Sequence, residues 1–341
     1  MTDAAARDSG DRAGLKLTLA TWDHDRVMAL HDGRVAVPGV TLQSVIQPTS
    51  KLFPTAVQEA RYDITEMSIS SYILQVSRGE GGYIALPAFV SRAFRHSGFF
   101  ARAGSGIESP ADFAGRRVGV PEYQMTAALW MRGILADDYG VGAPDIHWRT
   151  GALDAGVRRE RLRLDLPEGM RVEPIAAQET LQDLLLAGRI DGLLAPKPPQ
   201  AFLDGDPRLV RLFPDFEADE RAYHARTGFF PIMHLIGLKK TLAEAHPWLP
   251  RALYDGFVQA RNLAVTRLRE IWLGNANRLS LPWLGAMMER MIAAMGRDYW
   301  SYGFNANRAE LDAVCRYSVE QYLAPGRVRP QDMFHPSVLD S

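Results

Sequence analysis

The stretch FVSRAFRHSGFFAR, Phe89 to Arg102, decides how the chain is read. It is apolar enough for a buried strand, yet it carries Arg92, Arg95 and His96 between its phenylalanines. Two-residue alternation puts Val90, Arg92, Phe94 and His96 on one side and Ser91, Ala93, Arg95 and Ser97 on the other, so cations fall on both faces. A second extended apolar run, TGFFPIMHLIGLKK (Thr227 to Lys240), follows much later. The segments Ala85 to Arg102 and Phe229 to Lys239 bracket a complete α/β unit. Read as crossovers between two lobes, they lie side by side at the floor of a cleft. Cations on such strands are well placed to hold an anion on which both lobes close.

Outward from this pair, the pattern on each side is strand, helix, strand, helix. On the amino-terminal side, LKLTLATW alternates before the polar DHDR loop. VPGVTLQSVI is a turn and a strand, PTSKLFPTAVQEA a helix, and RYDITEMSIS a strand running into the helix SYILQVSRG. After Arg102 a strand over Arg116 to Val120 leads into a helix with Ala127, Trp130, Met131, Ile134 and Leu135 at helical spacing. The order implies α/β lobes, each a mixed, mostly parallel sheet flanked by helices, whose ligand sits beyond the carboxyl ends of the strands. The expected boundaries are a disordered tail over 1–14, lobe one over 15–95, lobe two over 96–228, and a return to lobe one over 229–341 with carboxyl-terminal helices and a tail. The charged stretch DAGVRRERLRLDLPEG (Asp154 to Gly169) reads as a solvated surface excursion.

Composition removes several functions. The 341 residues are 47% hydrophobic and 23% charged, as in a globular protein, and suit two lobes. With 39 basic against 40 acidic residues and no long basic block, neither nucleic acid nor membrane is an expected partner. The single cysteine, Cys315, excludes intrachain disulfides and reads as a small buried hydrophobe. The opening MTDAAARDSGDRAG has no apolar core of a secretory signal, and no apolar run reaches membrane-spanning length, so a cytoplasmic location is expected.

There is no Walker loop, GxGxxG, GxSxG, HExxH or CxxC. What remains is a set of polar side chains at strand ends: Asp23, His24, Asp25 and Arg26; Glu66, Ser68 and Ser70; Arg92, Arg95 and His96; Glu122, Tyr123 and Thr126; Lys197; His234. Such a set suits anion binding with proton transfer. Each has a structural alternative: arginines in ion pairs, histidines in a satisfied core, Glu122 and Thr126 as helix caps. His24, Glu66, His96 and His234 could together collect a divalent metal, but no spacing supports it; this stays the minority reading and no cofactor is expected.

In order along the chain, SRAFRH, RVGVPEYQMTAALWMRGIL, YGV, RLFPDF and TGFFPIMH resemble the 4,5-dihydroxyphthalate decarboxylase family, and the likeness runs from about Leu15 to the final helices. The resemblance implies the two-lobed fold of type II periplasmic binding proteins and a non-oxidative decarboxylase converting 4,5-dihydroxyphthalate to protocatechuate and carbon dioxide. The rivals are a solute-binding protein and a ligand sensor for a small aromatic anion. On this reading Arg92, Arg95, Arg26, Ser68, Glu122, Tyr123, Thr126 and Lys197 bind the dicarboxylate. His96 or His234 protonates the ipso carbon, and Glu66 or His24 accepts a phenolic proton. The substrate is the expected partner, with a homo-oligomer open; the final APGRVRPQDMFHPSVLDS covers either its own lobe or a neighbour's.

Overall fold

The structure, a computed structural model, describes residues 14–341. The tail expected over 1–14 lies outside the described residues but for Gly14. The amino-terminal part forms β1 (Leu15–Thr21), α1 (Asp25–His31), β2 (Val40–Ile46), α2 (Thr49–Glu59), β3 (Ile64–Ser68), α3 (Ile69–Ser77) and β4 (Tyr83–Arg92). The middle forms β5 (Phe99–Arg102), β6 (Arg117–Val120), α4 (Thr126–Tyr139), β7 (His147–Thr150), β8 (Val172–Pro174), α5 (Leu181–Leu186), β9 (Gly192–Leu194), α6 (Gln200–Leu203), β10 (Leu209–Arg211) and α7 (Phe216–Thr227). The rest is β11 (Ile232–Lys239), α8 (Lys240–Ala245), α9 (Leu249–Trp272), α10 (Leu284–Met295) and α11 (Arg308–Glu320).

Two mixed sheets result, ordered β2-β1-β3-β11-β4 and β10-β5-β9-β6-β7-β8. The α/β class read from the sequence is the class observed. In the first sheet β11 runs antiparallel to both β3 and β4, so the returning chain lies between the strand that carries Glu66 and the strand by which the chain leaves. The connections between the sheets also touch, since the Ala93 amide donates to the Pro231 carbonyl at 3.1 Å.

Sequence alternation explains the half-exposed strands, and apolar content explains the enclosed elements. β3 is buried at all five positions, and α4 is buried from Thr126 through Leu135 before Gly140 ends it at φ 67°. Helix α11 packs on both α3 and α4, so it braces the two lobes. Between them Trp130 Nε1 donates to the Ile232 carbonyl at 2.9 Å and Arg132 Nε to Gln321 Oε1 at 2.6 Å.

Two expectations need correction. Phe89 to Arg102 is not one extended strand. Its pairing with β11 slips at His234, β4 ends at Arg92, Arg95 takes φ −129° and ψ −3°, and a 3-10 turn spans His96–Gly98 before β5. The alternation that placed Arg92 and His96 on one face is therefore broken. Nor is the charged excursion free in solvent. Leu164, Leu166 and Met170 pack against the main core. Arg78, just beyond α3, donates to the Arg163 carbonyl at 2.9 Å and to Asp165 at 3.0 Å. The segment is a strap from the second lobe to the first, held by alternate leucines whose intervening charges face out.

Candidate active site

The carboxyl ends of β1 and β3 and the amino end of the antiparallel β11 bring three side chains together. Glu66 stands opposite Ile236 on β11, two residues from His234, so their side chains share one face of the sheet. Fully buried Glu66 accepts from His234 Nδ1 at 2.6 Å and His24 Nε2 at 2.9 Å on one oxygen, and from the Trp22 amide at 2.8 Å on the other. Burial pushes its carboxyl up, but the hydrogen bonds from His234 and His24 outweigh this and hold it well below the usual carboxylate range. Glu66 is an anion that accepts three hydrogen bonds.

That anion assigns the histidine protons. Arg26 Nη2 donates to His24 Nδ1 at 3.1 Å, so His24 carries its proton on Nε2. His234 donates from Nδ1, which leaves Nε2 as its acceptor. Burial lowers the proton affinity of His234, with Glu66 opposing and His24 and Arg95 reinforcing. Phe53 meets the His234 ring edge-on at 4.7 Å.

Arg95, close enough to His234 to lower its proton affinity, has no ion pair within 4 Å among the described residues. Its one hydrogen bond is a long 3.5 Å contact to the Pro196 carbonyl, and its buried Nε has no protein partner. Burial pulls its guanidinium down to about 10, with Glu220 as the opposing charge. Glu220 itself is raised by burial to about 7.

The lobes touch at Ser68 Oγ, which lies 2.8 Å from Thr126 Oγ1, and the Ser70 amide donates to the same Thr126 oxygen at 3.2 Å. The amino-terminal turns of α3 and α4 thus face each other across the cleft. The open grooves elsewhere, one among Arg117, Arg149 and Arg189 and another beneath Arg78 and Asp165, share no residue with the histidine cluster.

Several expected ligands are committed elsewhere. Arg92, expected to grip substrate, is 2% exposed and bonded to Glu310 Oε2 at 3.0 Å, to Asn307 and to the carbonyls of Phe230 and Ser301. It fastens β4 to α11. His96, expected as the proton donor, is buried between Phe213 and Tyr223, with ring centroids at 5.0 and 5.2 Å. Burial drops it to about 4, so it is a neutral core histidine. Tyr123 is fully buried, donating to the Gln321 carbonyl at 3.0 Å. Lys197 is 64% exposed and paired with Asp154. Arg26 lies 3.8 Å over Trp300 and bonds the Val90 carbonyl at 2.6 Å, so it positions His24. Glu122 is held by Arg158 at 2.5 Å and Arg161 at 2.7 Å. The amides of Tyr123 and Gln124, at the turn that leads into α4, donate to the carboxylate of Glu160.

Sequence reasoning missed Phe53, Glu160 and Arg161. For the latter two a signal existed, because RLRLDL alternates leucine with charge as a half-buried strand does. Of the four groups weighed as metal ligands, His24, Glu66 and His234 place their ligand atoms within 4.8 Å of one another and His96 stays apart. Arg26 and Arg95 beside the cluster disfavour a further cation there.

No family model matches the chain. Over 327 residues it is 40% identical to 4,5-dihydroxyphthalate decarboxylase of Comamonas testosteroni, spanning 96% of this chain and 98% of that protein. Over 201 residues it is 40% identical to the Pseudomonas putida protein of the same name, spanning 59% of this chain and 78% of that one. The fold matches the periplasmic aliphatic sulphonate binding protein SsuA from Escherichia coli with a TM-score of 0.52 at 12% identity, over 94% of this chain and 92% of that one. The architecture is thus that of the periplasmic binding proteins, and by its sequence the chain belongs to the 4,5-dihydroxyphthalate decarboxylase family.

Proposed function

We propose that this protein decarboxylates 4,5-dihydroxyphthalate to protocatechuate and carbon dioxide, with His234 as the proton carrier. The observation that carries the reading is the buried Glu66 anion shared by two histidines, close to an Arg95 guanidinium whose Nε has no protein partner. Membership of the family supplies the substrate.

The departing carboxylate is para to a hydroxyl, whose electrons make the ipso carbon basic. A proton delivered there breaks the aromatic sextet. Loss of carbon dioxide returns the bonding pair of the broken C–C bond to the ring and restores it. His234 suits the delivery because its Nε2 is unshared and Glu66 stabilises the imidazolium that precedes transfer. A substrate dianion raises the proton affinity that burial has lowered. Arg95 neutralises part of that charge. The para hydroxyl passes its proton to solvent as the ring is protonated and takes one back from solvent as the product forms, and a further solvent proton restores His234, which balances the proton that replaces carbon dioxide on the ring.

We place catalysis without a metal, on the ground that Arg26 and Arg95 already supply positive charge. The 4.8 Å grouping of His24, Glu66 and His234 supports the other reading, a divalent ion. Chromatography of protocatechuate formed from 4,5-dihydroxyphthalate tests the activity. His234→Asn is expected to lower kcat by about 100-fold or more with little change in KM. Exhaustive chelation is expected to leave the rate unchanged, and loss restored by one divalent ion would establish the metal reading. Tight binding without product would return the chain to the solute-binding class.

A further inference from the structure

We propose that Arg161, carried into the cleft by the strap between β7 and β8, binds the carboxylate that the substrate retains, with Glu122 as its positioning residue. This rests on the decarboxylase reading and adds the recognition of the second acid group.

Arg161 is unlike the other arginines of the strap. Its side chain is 9% exposed, whereas Arg158 is 42% and Arg163 88% exposed. Its Nε donates to Glu122 Oε2 at 2.7 Å, while its buried Nη1 has no protein partner. The guanidinium carbon lies 5.3 Å from the centre of the Phe53 ring, and Phe53 in turn meets His234 at 4.7 Å. Arg161 and the proposed proton carrier thus contact the same phenylalanine. Pairing Glu122 does not require this arrangement, because Arg158 already bonds the other Glu122 oxygen from the solvent side. A guanidinium N–H buried without an acceptor is costly, and an anionic ligand relieves that cost.

The neighbouring α4 amides are not available for the same task. Glu160 caps Tyr123 and Gln124, and Gln124, with its amide turned so that the oxygen accepts, receives the amides of Arg161 at 2.7 Å and Leu162 at 2.6 Å. These contacts fix the backbone from which Arg161 projects. The choice of carboxylate follows from the reaction. An ion pair to the departing group is lost as neutral carbon dioxide forms and so holds back the step, whereas a pair to the retained group persists through it.

Equilibrium binding of 4,5-dihydroxyphthalate, protocatechuate and catechol to His234→Asn protein, which binds the diacid but barely consumes it, with Arg161 intact or changed by Arg161→Gln or Arg161→Lys tests this, because the three ligands differ by one carboxylate each. Arg161→Gln is expected to weaken the diacid and protocatechuate by about 10- to 100-fold while catechol is unchanged. Arg161→Lys is expected to recover part of the loss, since it keeps the charge but not the fork. An equal loss for all three ligands, or none, overturns the proposal. A loss confined to the diacid also overturns it, by assigning Arg161 to the departing group. Failure of the wild type to form product overturns the decarboxylase reading alone, since binding is measured without turnover. Unchanged catechol binding shows that the variants are folded.

Discussion

At the scale of single residues, burial sorts the histidines and arginines into roles. His234 and His96 are both deprived of water, but His234 has the Glu66 anion on Nδ1, whereas the His96 Nδ1 has no partner. A histidine that titrates near 6.5 in the unfolded chain and near 4 when folded makes the unfolded state the better proton binder between those values. The wild type should therefore lose stability as pH falls from 6.5 toward 4, and none through this group above 7. Against His96→Leu, denaturant unfolding at pH 7.5 and pH 4.5 should show the wild type losing the larger share, by on the order of 2 kcal/mol. A constant difference between the two proteins would contradict this. The pair Arg92 and Glu310 is the same lesson in reverse: a cation in an apolar strand invites a ligand in the sequence, yet the fold had already given it a carboxylate 218 residues away.

At the scale of elements, helix α4 carries the close approach on which the joint between lobes depends. A Cβ on Gly133 would stand 2.5 to 2.7 Å from the ring of Tyr317 on α11, so only glycine lets the helices meet. Alanine favours a helix by about 1 kcal/mol, but the clash with a buried ring should exceed that gain. Gly133→Ala is expected to destabilise the protein by about 1 to 3 kcal/mol in thermal or denaturant unfolding, and stabilisation would show that α11 can shift freely. Most elements were legible in the sequence, because alternation in β1 and helical spacing in α4 and α9 are local properties. The strap was not, since its charges dominate its composition while its leucines decide its position. The interruption after Arg92 was also hidden, because a slip in pairing depends on the partner strand.

At the scale of the whole molecule, the contacts between the lobes include the Ser68–Thr126 pair and the strap bonded to Arg78. Arg78→Gln removes bonds to a backbone carbonyl and to the exposed Asp165 carboxylate, so the expected effect is modest, a rise in KM of about two- to fivefold. Hydrogen exchange should quicken at the Arg161 and Leu162 amides and stay unchanged within α4; no change at those amides would mean that the strap holds without its anchor. The sequence by itself determined the α/β class, the order of strands and helices, and the family, because hydrophobic period and residue identity are carried along the chain. It also supplied His24, Glu66, Arg95 and His234 as polar groups at strand ends. Only the tertiary structure decided which of them face one another. Whether a buried charge is a ligand-binding group or a strut depends on its partner, and partners such as Glu66 with His234, or Arg92 with Glu310, come from segments that meet only when the sheets and helices pack.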